Sequence, residues 1–194
     1  MENAPDVQPA TRAAWRAWLR RNHASQSGAW VITFKKHTGR QSPGYDDLVE
    51  EALCFGWIDS RPQALDDERT KLYFSPRKAG SGWAATNKAR VQRLASAGLL
   101  EPAGLAAIER AKADGSWTKL DGSESLEIPD DLAAAFLGYP TSAERFAAFP
   151  PGARKAILQW IAQAKRPTTR AARIDETARL AKDGIRANQW EKRD

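Results

Sequence analysis

Strand-like alternation of apolar and polar residues is confined to one stretch of this chain, residues 29–76. Ala29 to Lys36 puts Trp30, Ile32 and Phe34 on one side and Val31 and Thr33 on the other. Trp57-Ile-Asp-Ser opens a second strand, Asp66–Arg69 reads as a hairpin turn, and Thr70–Ser75 reads as the returning strand. Around this stretch the apolar period is near 3.6. A first helix begins near Pro9 and carries Trp15, Trp18 and Leu19. A second, Tyr45–Phe55, carries Leu48, Val49, Ala52 and Leu53, with Asp46 and Asp47 in the turn where the helix dipole favours acids. From Ser81 onward the pattern predicts only helices, over 82–97, 102–113, 129–137, 153–165 and 168–183. Each stops at a Gly or Pro. The expected architecture is α+β, a small largely antiparallel sheet flanked by helices, with a helical C-terminal half. The expected division is an α+β domain over 1–115, a polar connection over 116–128 and a basic helical module over 129–194.

The chain has 194 residues, 42% of them hydrophobic, including eight Trp and six Phe, which argues against wholesale disorder. Cys54 is the only cysteine, so an internal disulfide and a thiolate metal cluster are excluded, as suits a reducing compartment. The first residues have neither the basic nor the apolar region of a secretory signal. No apolar run approaches the roughly 20 residues needed to cross a bilayer. A soluble cytoplasmic protein is expected. The net charge of +6 is uneven: residues 1–149 hold 19 basic and 19 acidic side chains, whereas 150–194 hold 11 and 5. Arg166, Arg170, Arg173, Arg179 and Lys182 fall outside the apolar stripes of the last two helices, and Asp175–Arg179 is spaced as a favourable i,i+4 pair. The surplus is either a solvated helix face or a surface for nucleic acid, a protein or an anionic membrane.

Three groups of residues carry candidate binding chemistry. Arg77, Lys78 and Ser81 lie between Gly80, Gly82 and a helix start, where free N–H groups suit a phosphate or carboxylate. The bland alternative is a capped helix after a basic loop. Asp59 sits between Ile58 and Ser60 on a strand, and Arg61 and Arg77 are within reach to offset its desolvation. That pairing is either a structural salt bridge or the floor of a pocket walled by Trp57 and Trp83. Asn87 lies on the stripe Trp83, Asn87, Val91, Leu94, so its amide either ties the helix to a loop or meets a ligand.

Catalytic chemistry is poorly supplied. Cys54 lies between Leu53 and Phe55 with no adjacent base. His23 and His37 are far apart in polar loops and lack ligand spacing. Glu50 and Glu51 point about 100° apart on a helix. No nucleophile elbow is present. No catalytic residue, metal or cofactor is therefore assigned.

The run Tyr45-Asp-Asp-Leu-Val-Glu-Glu-Ala-Leu-Cys-Phe-Gly-Trp-Ile-Asp59 resembles the YdeI/OmpD-associated family of bacterial proteins. Phe74-Ser-Pro-Arg77, Trp83, Asn87-Lys88, Trp160-Ile161 and Thr169-Arg170 continue the resemblance, which spans roughly residues 15–188. It implies a link to bacteriocin protection and brings no catalytic residues with it. The reading of the whole chain is a non-catalytic protein that binds a small anionic ligand or a protein partner. Its rivals are an enzyme with a pocket around Asp59, Arg77, Asn87 and Tyr45, and a nucleic-acid binder using the basic C-terminal helices.

Overall fold

The computed structural model describes residues 4–189, which divide into two compact units. One ends at Ser81 and resumes over Thr86–Ser116; the other comprises Gly82–Ala85 and the chain from Trp117 onward.

The first unit is built on a four-stranded mixed sheet. Its strands are β1 (Asp6–Val7), β2 (Ala29–Phe34), β3 (Trp57–Ala64) and β4 (Arg69–Pro76), in the order β1-β2-β4-β3. The β2–β4 and β3–β4 pairings are antiparallel and β1 runs parallel to β2. Two residues are too few for any periodicity to show, so β1 is invisible in the sequence pattern. The register shifts between Asp59 and Pro62, a bulge on the edge strand that also carries the proline. Ala29, Val31, Leu72, Phe74, Trp57 and Asp59 share one face by register. Against that face lies α1 (Arg12–Asn22): Trp15 packs on Phe74 at 5.4 Å and Trp18 on Trp57 at 6.0 Å. Thr11 caps α1 by accepting from the Ala14 N–H at 3.1 Å, so the helix starts slightly after Pro9.

Helix α2 (Tyr45–Cys54) binds α1 through an ion network. Glu51 is only 4% exposed, yet it accepts from Arg12 at 2.6 Å and Arg16 at 2.7 Å. Arg12 also reaches Asp47 and Glu50, and Arg16 and Arg20 share Glu101. Burial opposes the charge on Arg12, but the Glu51 and Asp47 hydrogen bonds overcome it and raise its pKa. Helix α3 spans Ala85–Ser96, and α4 spans Pro102–Ala113. A glycine lets α4 approach the end of α2. A Cβ on Gly104 would overlap the Cys54 carbonyl, with the Leu53 oxygen 2.9 Å away.

The second unit is helical: α5 (Asp121–Glu124), α6 (Asp130–Leu137), α7 (Ser142–Ala147), α8 (Pro151–Ala162) and α9 (Pro167–Lys182). Its core is Leu132, Phe136, Phe146, Phe149, Ile157, Leu158, Ile161, Ile174, Ala178 and Ala181. Two of these helices fall outside the expected set. One is α7, too short to display an apolar period. The other, α5, lies inside the expected polar connection. Ser123 and Leu120 are buried there, and Glu124 accepts from Gln159 and pairs with Lys155. Among the described residues no helix is long and apolar enough to cross a membrane.

Candidate functional site

The antiparallel β3–β4 pair sets Asp59 opposite Phe74, three residues before Arg77. The Arg77 N–H bonds to the Gly56 carbonyl at 2.9 Å, which fixes the end of β4 against the start of β3. The Arg77 side chain is 8% exposed. Burial disfavours its charge and Asp59 attracts it; burial prevails, and the pKa is pushed down to about 10. Asp59 is half-buried and accepts the Tyr45 hydroxyl at 3.0 Å. Partial burial and that carboxylate raise the phenol's pKa. Tyr45 is the first residue of α2 and 54% exposed.

Helix α3 completes the group. The Arg90 guanidinium lies 5.9 Å from the Tyr45 ring, donates to Asn87 Oδ1 at 2.9 Å and pairs with Asp46 at 2.5 Å. Tyr45, Asp59, Asn87 and Arg90 are thus linked contact by contact in the first unit, and Arg77 lies near enough for Asp59 to act on its charge; these five make up a polar patch. Arg90 joins it unforeseen, because the packing of α3 against the start of α2 leaves no mark in either helix's own pattern. Asn87 bonds one turn along its own helix rather than to a loop.

The remaining candidates are placed differently. Arg61 is exposed beside the bulge and Lys78 is exposed next to Arg77. Helix α3 begins at Ala85 rather than Gly82, so Ser81 does not cap it; the Ser81 N–H instead closes a turn onto the Lys78 carbonyl at 3.2 Å. Two backbone amides of this loop and helix start are accepted by the protein's own carboxylates. Gly80 donates to Asp114 at 2.9 Å and Ala85 to Glu124 at 3.3 Å. Trp83 is buried in the second unit, beside Trp117 at 4.9 Å.

Residues 7–107 match the sequence model of a domain of unknown function, DUF8412, over just more than half of the chain. The chain belongs to the DUF8412 family. Residues 125–184 match a second model, that of the bacteriocin-protection, YdeI or OmpD-associated family. No curated protein and no solved structure matches the chain. The YdeI/OmpD resemblance therefore holds over a C-terminal segment, while the Tyr45–Asp59 run lies within the DUF8412 span. All five residues of the polar patch lie in that span too.

In the segment matching the YdeI/OmpD-associated model, much of the surplus positive charge is already engaged. Arg170 clamps Asp131 at 2.6 and 3.0 Å, Lys155 pairs with Glu124, and Arg173 donates to the Trp160 carbonyl while lying over its ring. On α9, Arg170 and Arg179 are nine residues apart, as are Arg173 and Lys182, which is about half a circle of helix. These cations do not share one face. The expected Asp175–Arg179 pair does not form; Asp175 accepts the Tyr139 hydroxyl at 2.6 Å instead.

In the DUF8412 span, Cys54 is buried and burial raises its thiol pKa, against the pull of Arg16. His23 directs Nδ1 at the Leu19 carbonyl, 2.9 Å away. Among the described residues no three His, Cys, Asp or Glu side chains are grouped to hold a metal ion.

Proposed function

We propose that this DUF8412 protein is a non-catalytic cytoplasmic binding protein for a small anionic ligand, taken at the ends of β3 and β4. The observation that carries the reading is Arg77: a guanidinium 8% exposed, still charged at neutral pH, and depressed in pKa despite Asp59. A carboxylate or phosphate reaching this guanidinium adds an opposite charge beside a group whose burial disfavours its own. Exposed Lys78 and Arg61 draw the anion in, and Tyr45 with Asn87 offers polar groups at the rim. The raised phenol pKa of Tyr45 leaves it protonated at neutral pH, a hydrogen-bonding group rather than a base. A role in bacteriocin tolerance rests on the family matched by residues 125–184.

Thermal denaturation of the full chain with phosphate, citrate and acetate at constant ionic strength tests the binding. A saturable rise in Tm is expected in the native protein and absent in Arg77→Met. A rise of equal size in that variant, or one that chloride reproduces, removes the site.

A further inference from the structure

Helices α6 and α9 enclose a groove of about 480 Å³, lined by Asp131, Ala135, Pro167, Arg170, Ala171, Ile174 and Asp175. Its floor is apolar, from Ala135, Ala171, Ile174 and Pro167. The groove follows α9 for roughly 12 Å, eight residues at the helical rise. Toward the Pro167 end the Arg170–Asp131 ion pair bridges α6 and α9, its two charges neutralising each other. At the other end stands Asp175, exposed and held by the Tyr139 hydroxyl at 2.6 Å. Among the described residues no cation pairs with Asp175. Arg179, one helical turn on, lies near enough to act on the Tyr139 hydroxyl but forms no ion pair with Asp175.

We propose that this groove receives a lysine side chain presented by a protein partner. The chemistry is complementary at both ends of that side chain. A four-carbon stem covers the alanine and isoleucine floor, and the ammonium reaches the Asp175 carboxylate, already oriented by Tyr139. Pro167, Ala171 and Asp175 are exposed, so the groove opens along its length to solvent and suits a side chain delivered from another surface. This site lies in the second unit and is independent of the anion reading.

The test is a backbone amide NMR titration of the full chain with the blocked tripeptide Ala-Lys-Ala. Saturable shifts are expected in Asp131–Ala135 and Thr168–Asp175. Replacing the lysine by norleucine, and the protein's Asp175→Asn change, should each weaken binding at least about fivefold, the loss of one charge-assisted hydrogen bond. Ala171→Leu, an exposed helical position, fills the channel and should abolish the shifts while leaving the spectrum folded. Equal binding of norleucine, tighter binding of Ala-Glu-Ala, or an unchanged affinity in Asp175→Asn overturns the proposal. Absence of saturable shifts does the same, as does tighter binding of free n-butylammonium than of the tripeptide, which would make this a small-amine site.

Discussion

Replacing Arg77 by Met should stabilise the protein while destroying its anion response. At neutral pH the guanidinium is protonated in both the folded and the unfolded chain, but its folded pKa is depressed to about 10. Between that value and the unfolded one, the unfolded chain holds the extra proton, so stability attributable to this group rises with pH there. Below about pH 10 the full cost of keeping the buried charge is in force. Each tenfold weakening of proton affinity corresponds to about 1.4 kcal/mol, so that cost is on the order of 3 kcal/mol. Methionine fills a similar volume with a flexible apolar chain and removes the charge. That figure already includes the attraction of Asp59, but the substitution also forfeits the guanidinium's other contacts, so the net gain should be about 1–2 kcal/mol. For a chain of this size that corresponds to a Tm increase of roughly 2–8 °C. Urea denaturation at neutral pH measures the free energy, and the phosphate titration repeated on the variant measures the loss of response. A more stable protein that no longer responds to anions is the signature of a residue kept for binding rather than for folding. If Arg77→Met instead destabilises the protein by about 1 kcal/mol or more, Arg77 is a structural brace for Asp59 and the reasoning fails.

Glu51→Gln leaves Arg12 and Arg16 facing a neutral amide at the centre of the α1–α2 network, and urea denaturation should show a loss of about 2–4 kcal/mol; a change under about 0.5 kcal/mol would mean the network is held by its outer members. Gly104→Ala places a methyl against the Cys54 carbonyl carbon at 2.8 Å, where backbone must move, so a Tm decrease of several degrees is expected and an unchanged Tm would refute the close approach. In the second unit, the Arg170 guanidinium, against a smaller effect of burial, holds the Asp131 carboxyl below its usual range. A depressed carboxylate contributes stability above its unfolded pKa and loses it as pH falls through the folded one, so Asp131→Asn should flatten the acid limb of a pH–stability profile; an acid limb identical to the native one would show that the pair contributes nothing.

The sequence pattern reaches as far as elements long enough to repeat. Helices α1, α2, α4, α8 and α9 each bury one face over several turns and are legible from it. Strand β2 alternates in sequence although both its faces are buried, and β3, exposed from Ser60 onward, is legible only from its start and the hairpin turn that follows. Strand β1 and helices α5 and α7 show no period. Two, four and six residues respectively contain too little of a period, and their placement follows from partners distant in sequence. The start of α3 is displaced for a related reason: Ser81, an attractive cap by residue type, closes a turn instead, while a glutamate nearly 40 residues onward accepts the Ala85 amide.

The same division separates what is legible of the candidate site from what is not. Asp59 and Asn87 stand out in the sequence because each sets a polar group on an otherwise apolar strand or stripe, and burial of such a group requires an explanation wherever the chain folds. Arg77 stands out instead as a cation in the loop before a helix start. Arg90 has no such mark. Its position is ordinary for a helix surface, and it matters only because the α3–α2 packing brings it over Tyr45 and onto Asp46. Arg12 and Arg16 likewise lie off the apolar stripe of α1. Yet the stripe's edge is where α1 meets the acidic face of α2, and there Glu51 is buried with two guanidiniums around it. The physical reason is common to both cases. Hydrophobic periodicity reports which side of an element is dry, whereas an ion pair across two elements depends on their axial offset, to which the one-dimensional pattern is blind. A polar residue inside a stripe is thus a good pointer to a site, and the cations that complete it must be found from the packing.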